Sequence, residues 1–106
     1  SGKANFCYST SSDYDDIFHI GLGEVLCRVD PKLVYCGLFE EGEKIRVIIY
    51  AGDEISKEKS AGEIVKSISE ILGGAGGGSP KFAQGGGTDK SKKEDAIKNA
   101  KAMIFE

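Results

Sequence analysis

Two apolar runs, LVYCGLF and KIRVIIYA, stand on either side of EEGE, and this pair constrains the fold more than any other stretch of the chain. A tight turn containing Gly42 joins them, so they pair antiparallel. In the second run Ile45, Val47 and Ile49 alternate with Arg46, Ile48 and Tyr50. From Val47 onward both of its faces are largely apolar, so it must lie centrally in a sheet and be covered.

The flanking segments supply what covers it. NFCYSTS (Asn5–Ser11) reads as a short strand ending in a serine cluster. DYDDIFHIGLGEVLCRVDP then reads as a helix with Asp13 as its cap. Its expected apolar stripe is Phe18, Leu22, Val25, Leu26 and Val29. Gly21 and Gly23 weaken its middle, and Asp30-Pro31 stops it. SAGEIVKSISEIL is the clearest helix: Ser60 and Glu63 have capping-box spacing, and Ile64, Val65, Ile68, Ile71 and Leu72 form one stripe. Gly73 ends it as a left-handed cap. In the last helix Ser91 and Glu94 repeat the box ahead of Ile97, Ala100 and Ile104. The order is β-α-β-β-α-(Gly-rich loop)-α, which predicts a small single α/β domain over residues 1–106, a mixed β-sheet flanked by helices.

At 106 residues there is room for one core, and no apolar run reaches the ~20 residues of a membrane helix. The start SGK has no methionine, and the expectation is a piece excised from a larger protein. Cys7, Cys27 and Cys36 have no C-x-x-C spacing and read as reduced, buried thiols in a cytosolic setting. The only histidine, His19, has no partner at ligand spacing and reads as a structural side chain. Asp13, Asp15 and Asp16 are explained by the helix dipole better than by a metal. The net charge of −3 is uneven. Residues 1–56 carry five basic and ten acidic groups, whereas residues 81–106 carry six lysines against four acids. That basic end suits an anionic partner or a solvated helix face.

GGAGGGSPKFAQGGG (Gly73–Gly87) holds eight of the fifteen glycines. Phosphate-binding glycine loops follow a strand and open a helix, but these glycines follow a helix, with neither G-x-x-x-x-G-K-[ST] nor G-x-G-x-x-G. A plain linker has no use for the proline, lysine, aromatic ring and amide of SPKFAQ. Two readings remain open: a shaped contact loop whose backbone N–H groups form an anion nest, or disorder.

AGEIVKSISEILGGAGGGSPKFAQGGG resembles the C-terminal, DHH-associated domain of alanyl-tRNA synthetases, known as C-Ala. The resemblance runs from Ala61 to about Ile104, and its specific part is Gly-Gly-Gly-x-Pro-x-x-Ala-Gln-x-Gly-Gly (Gly76 to Gly87). Ser79-Pro80-Lys81 departs from the Arg-Pro-Asp frequent in that family. Related DHH phosphoesterases carry a phosphate-contacting histidine where this chain has Ser79. The resemblance therefore implies a tRNA-binding module without catalytic residues, metal or cofactor. Its expected role is to grip the elbow of alanine tRNA in the cytoplasm, supporting aminoacylation and editing by a parent alanine–tRNA ligase. The candidate contact set is Gly76, Gly77, Gly78, Ser79, Pro80, Lys81, Phe82, Gln84, Gly85 and Gly86, with Lys90, Lys92 and Lys93. Phe82 is either an anchor for the loop or a platform for a base. The other domains of the parent are implied partners, a membrane is not, and self-association stays open. Rival readings are a protein-interaction or dimerisation module using the hairpin edge, and the accessory domain of a free-standing alanyl-tRNA editing hydrolase.

Overall fold

A computed structural model describes residues 4–11 and 16–105 of the chain. Strand β1 (Asn5–Ser11) leads to helix α1 (Asp16–Val29), and the antiparallel pair β2 (Leu33–Glu41) and β3 (Lys44–Ala51) follows. A 3-10 turn at Ile55–Lys57 precedes helix α2 (Ala61–Ile71). Next come two strands, β4 (Ala75–Gly78) and β5 (Phe82–Gly87), then a 3-10 turn at Lys90–Lys92 and helix α3 (Lys93–Phe105). The five strands form one mixed sheet in the order β1-β2-β3-β5-β4, with β1 parallel to β2 and the other pairs antiparallel.

The β2–β3 hairpin lies inside the sheet, as its two-sided apolar pattern requires. Gly42 adopts φ 62° at its turn, a left-handed conformation that glycine takes without steric cost. Val34, Cys36 and Leu38 of β2 share one face with Ile45, Val47, Ile49 and Ala51 of β3. That face packs on Ala61, Ile64, Val65, Ile68 and Leu72 of α2 and on Ala96, Ala100 and Ile104 of α3. Each large aliphatic side chain buried there contributes about 1.5–3 kcal/mol relative to exposure. Because β2 pairs with β1 and β3 with β5, the hairpin edge offered for self-association is occupied on both sides.

Helix α1 covers the opposite face, but through only part of the expected stripe, Leu22 and Leu26. Val25 and Val29 are exposed, at 55% and 79%, and the inward positions are His19, Leu22, Gly23, Leu26 and Cys27. The helix is rotated so that Gly23 meets the sheet. A Cβ there would stand 2.9 Å from Tyr35 Cδ2 and 3.0 Å from Tyr50 Cβ, so the glycine permits the close approach. His19 is buried, with Nδ1 2.8 Å from the Tyr35 hydroxyl and its ring stacked on Phe39 at 5.3 Å. It is a structural side chain. The Asp13 cap and the Asp13–Asp15 part of the carboxylate run lie outside the described residues.

Neither capping box forms as the sequence predicts. Ser60 occupies the N-cap of α2 without a side-chain bond. The backbone N–H groups of Ala61 and Gly62 instead donate to the carbonyls of Pro80 and Ser79, at 2.8 and 3.1 Å. Two of the orphan donors of the first turn are thus satisfied by the glycine segment itself. Ahead of α3 the cap is Asp89, whose carboxylate accepts from the Ser91 backbone N–H at 3.2 Å. Gly73, at φ 78°, does end α2 as expected. The three cysteines are free thiols, two of them buried and Cys7 half-buried. Burial pushes the Cys36 thiol up to about 12 and the Cys27 thiol up to about 11, which disfavours the thiolate form.

Candidate nucleic-acid interface

The glycine segment is neither a loop nor a nest. It is a β-hairpin that extends the sheet past β3, with Gly76 opposite Gly85, Gly77 opposite Gln84 and Gly78 opposite Ala83. Among the described residues only Gly42 and Gly73 have positive φ, so Gly76–Gly87 lacks the alternating backbone that a nest needs. The turn Ser79-Pro80-Lys81 is closed by the Ser79 N–H donating to the Phe82 carbonyl at 2.9 Å. The Ser79 hydroxyl accepts from the Phe82 N–H at 3.2 Å, so Ser79 serves the turn.

Side chains alternate across these strands. Ala83 is buried against α2, so its neighbours Phe82 and Gln84 face the other side of the sheet. The register places Arg46 beside Gly86 and Ala75, Ile48 beside Gln84 and Gly77, and Tyr50 beside Phe82. Helix α1 packs chiefly on β2 and β3, and farther out on this face Ala75, Gly77 and Gln84 are exposed. Its floor is nearly bare backbone: a Cβ on Gly77 would meet nothing within 4 Å. An aromatic pair borders one end, Phe82 on Tyr50 with centroids 5.0 Å apart and planes tilted by 52°. Gln84 stands exposed in the middle. At the far end a groove of about 460 Å³ is lined by Lys44, Arg46, Gly74, Ala75, Gln84 and Gly86.

The structure thus brings together Gly77, Phe82, Gln84 and Gly86 on one surface, while Gly76, Gly78 and Gly85 point to α2. It adds Lys44, Arg46 and Tyr50, which sequence reasoning missed by reading β3 as a core strand only. Arg46, a basic residue set between Ile45 and Val47, was the available signal.

The lysines are distributed differently from the expectation. Lys81 Nζ lies 2.6 Å from Asp53 Oδ1 at the hairpin turn. That hydrogen bond holds the Asp53 carboxyl below its ordinary range. Lys90 and Lys93 sit at the other end and clamp Glu40, at 3.2 and 3.6 Å. Lys90 also donates to the Gly42 carbonyl, tying the start of α3 to the β2–β3 turn. Lys92 is exposed. The Lys90 hydrogen bond and charge keep Glu40 below the ordinary glutamate value of 4.5. A depressed carboxyl stabilises the fold above its unfolded pKa and loses that contribution as pH falls through the folded one. Glu40→Gln is therefore expected to flatten the loss of thermal stability between about pH 5 and 3. Melting curves across that range check this; an acid branch unchanged by the substitution removes the clamp from the account. Among the described residues no group of His, Cys, Asp and Glu is placed to hold a metal ion, and no helix is long and apolar enough to cross a membrane.

Known proteins share this sequence and fold. The DHHA1 domain family matches residues 18–106. The alanine–tRNA ligase of Nitrosopumilus maritimus is 51% identical over 103 residues, covering 97% of this chain and 11% of that protein. The alanine–tRNA ligase of Cenarchaeum symbiosum is 44% identical over 92 residues, covering 87% of this chain and 10% of that protein. The chain spans about a tenth of the length of these relatives. The crystal structure of the C-Ala domain from Aquifex aeolicus alanyl-tRNA synthetase superposes with a TM-score of 0.88 at 28% identity, over 95% of this chain and 91% of that one. By family match, sequence and fold together, the chain belongs to the DHHA1 domain family, in the form carried by alanyl-tRNA synthetases as C-Ala.

Proposed function

We propose that this chain is a non-catalytic tRNA-binding domain of a parent alanine–tRNA ligase, excised from its C-terminal part, and that it grips alanine tRNA at the elbow. The observation that carries this reading is the half-covered sheet. Helix α1 packs chiefly on β2 and β3. A flat glycine floor is left, bounded by an aromatic pair, an amide and two basic side chains. Unstacked or loop bases suit such a surface, because aromatic rings and peptide planes offer π-faces while arginine and lysine take the backbone phosphates. No deep pocket is needed. The parent supplies the chemistry of aminoacylation and editing, and this domain supplies grip; the cytoplasm is the setting this implies.

Fluorescence anisotropy with an alanine tRNA transcript tests the reading. The groove cations and Lys81 neutralise few phosphates, so the log–log salt slope is expected at roughly −2 to −4. Equal binding of a DNA duplex of the same length, or a slope of zero, overturns the assignment.

A further inference from the structure

Ser69 of α2 is fully buried, and its Oγ has no hydrogen-bond partner. An orphan hydroxyl in a core is uncommon and calls for a reason. It lies beneath the glycine hairpin. A Cβ on Gly76 would stand 2.8 Å from Oγ, and one on Gly85 would fall closer still. In glycine that Cβ position is taken by a hydrogen, so one Hα from each residue is aimed at the same oxygen. Gly76 and Gly85 are cross-strand partners, and they turn to α2 the opposite side of the sheet from Gly77 and Gln84.

We infer that Ser69 is a positioning residue for the open face: its Oγ accepts two Cα–H···O contacts and pins the β4–β5 pair flat from behind. Cα–H···O contacts are individually weak, but here they converge on an acceptor with no competing donor. One of them falls on β4, an edge strand of four residues that pairs, among the described residues, with β5 alone. A side chain at either glycine would occupy the oxygen's place, so Ser69, Gly76 and Gly85 form one three-residue unit. The benefit is pre-organisation, since a floor already flat loses little freedom when a ligand settles on it. The functional half of this inference rests on the tRNA-binding reading.

Ser69→Ala tests it without threatening the helix, because alanine favours helix and leaves no added bulk. The expected result is an upfield move of the Gly76 and Gly85 Hα resonances. Amide exchange across Ala75–Gly87 should rise about tenfold while α3 is unchanged. The affinity for alanine tRNA transcript should fall about three- to tenfold, with the salt slope kept. Unchanged Hα resonances and exchange mean that Ser69 is a tolerated orphan, and the inference falls. Faster exchange with unaltered affinity overturns its positioning role and leaves the tRNA reading intact. Failure of the unmodified chain to bind tRNA overturns that reading itself, whatever the resonances do. Ser69→Gly, which removes the oxygen by a second route, is expected to repeat the resonance and exchange changes; if it does not, the oxygen is not their cause.

Discussion

Gly85→Val is expected to lower the melting temperature by more than about 10 °C, whereas Gly77→Val leaves it within about 2 °C and weakens tRNA binding at least tenfold. The two glycines are one register step apart, yet they face opposite sides of the sheet. At Gly85 a Cβ would fall on Ser69 Oγ and 2.8 Å from Gly76 Cα, where backbone has to move. Overpacking of that kind costs about 3 kcal/mol at the upper end of its usual range, before the branched methyls are counted. At Gly77 a Cβ meets nothing, and valine suits a strand better than glycine does. What the second substitution changes is the floor: an isopropyl group stands where a base or ribose would lie. Calorimetry and anisotropy on the same preparations separate the cases. Should Gly77→Val bind like the parent, the open face is not the contact surface. A Gly85→Val variant as stable as the parent would mean that α2 does not approach the hairpin this closely.

This pair also explains which parts of the structure are legible in the sequence. Period-two and period-3.6 patterns are written by side chains. The strands and helices whose apolar residues meet a partner can therefore be read directly, as with β1, the β2–β3 hairpin, α2 and α3. Strands β4 and β5 have almost no side chains to write with. Glycine is poor in strands on propensity, and here it is required because helix and edge strand come into backbone contact. The stripe of α1 misleads for a related reason. Val25 and Val29 look more apolar than His19 and Gly23, but a glycine sets how near the helix comes and a buried histidine finds Tyr35. Lys90 and Lys93 look like part of a basic patch by adjacency, and only the fold shows that Glu40 holds them. Arg46 is legible in principle, since a cation set between Ile45 and Val47 needs an exit to solvent. The open half of the sheet provides one.

Phe82→Ala is expected to cost about 1–2 kcal/mol of stability and about 1–3 kcal/mol of tRNA affinity. The first figure is set by the ring's surroundings. Phe82 is half-buried and packs on Tyr50 at 5.0 Å, so it is not the sealed anchor whose deletion costs about 3–5 kcal/mol. The second follows from the part of the ring left exposed, on the side of the sheet that Gln84 shares. Anchor and platform are thus combined in one ring, held by its contact with Tyr50 while part of it stays open to solvent. Phe82→Leu separates them, since leucine keeps much of the apolar contact with Tyr50 but offers no π-face. It is expected to restore most of the stability and little of the affinity. Lys81→Ala tests charge alone at the same end. Lys81 is shared with Asp53 on an exposed surface, so its loss should leave the fold intact and weaken tRNA only about threefold. If leucine restores affinity along with stability, stacking is not how the ring contributes. The contact would then be a matter of apolar shape, with the base edge read at Gln84.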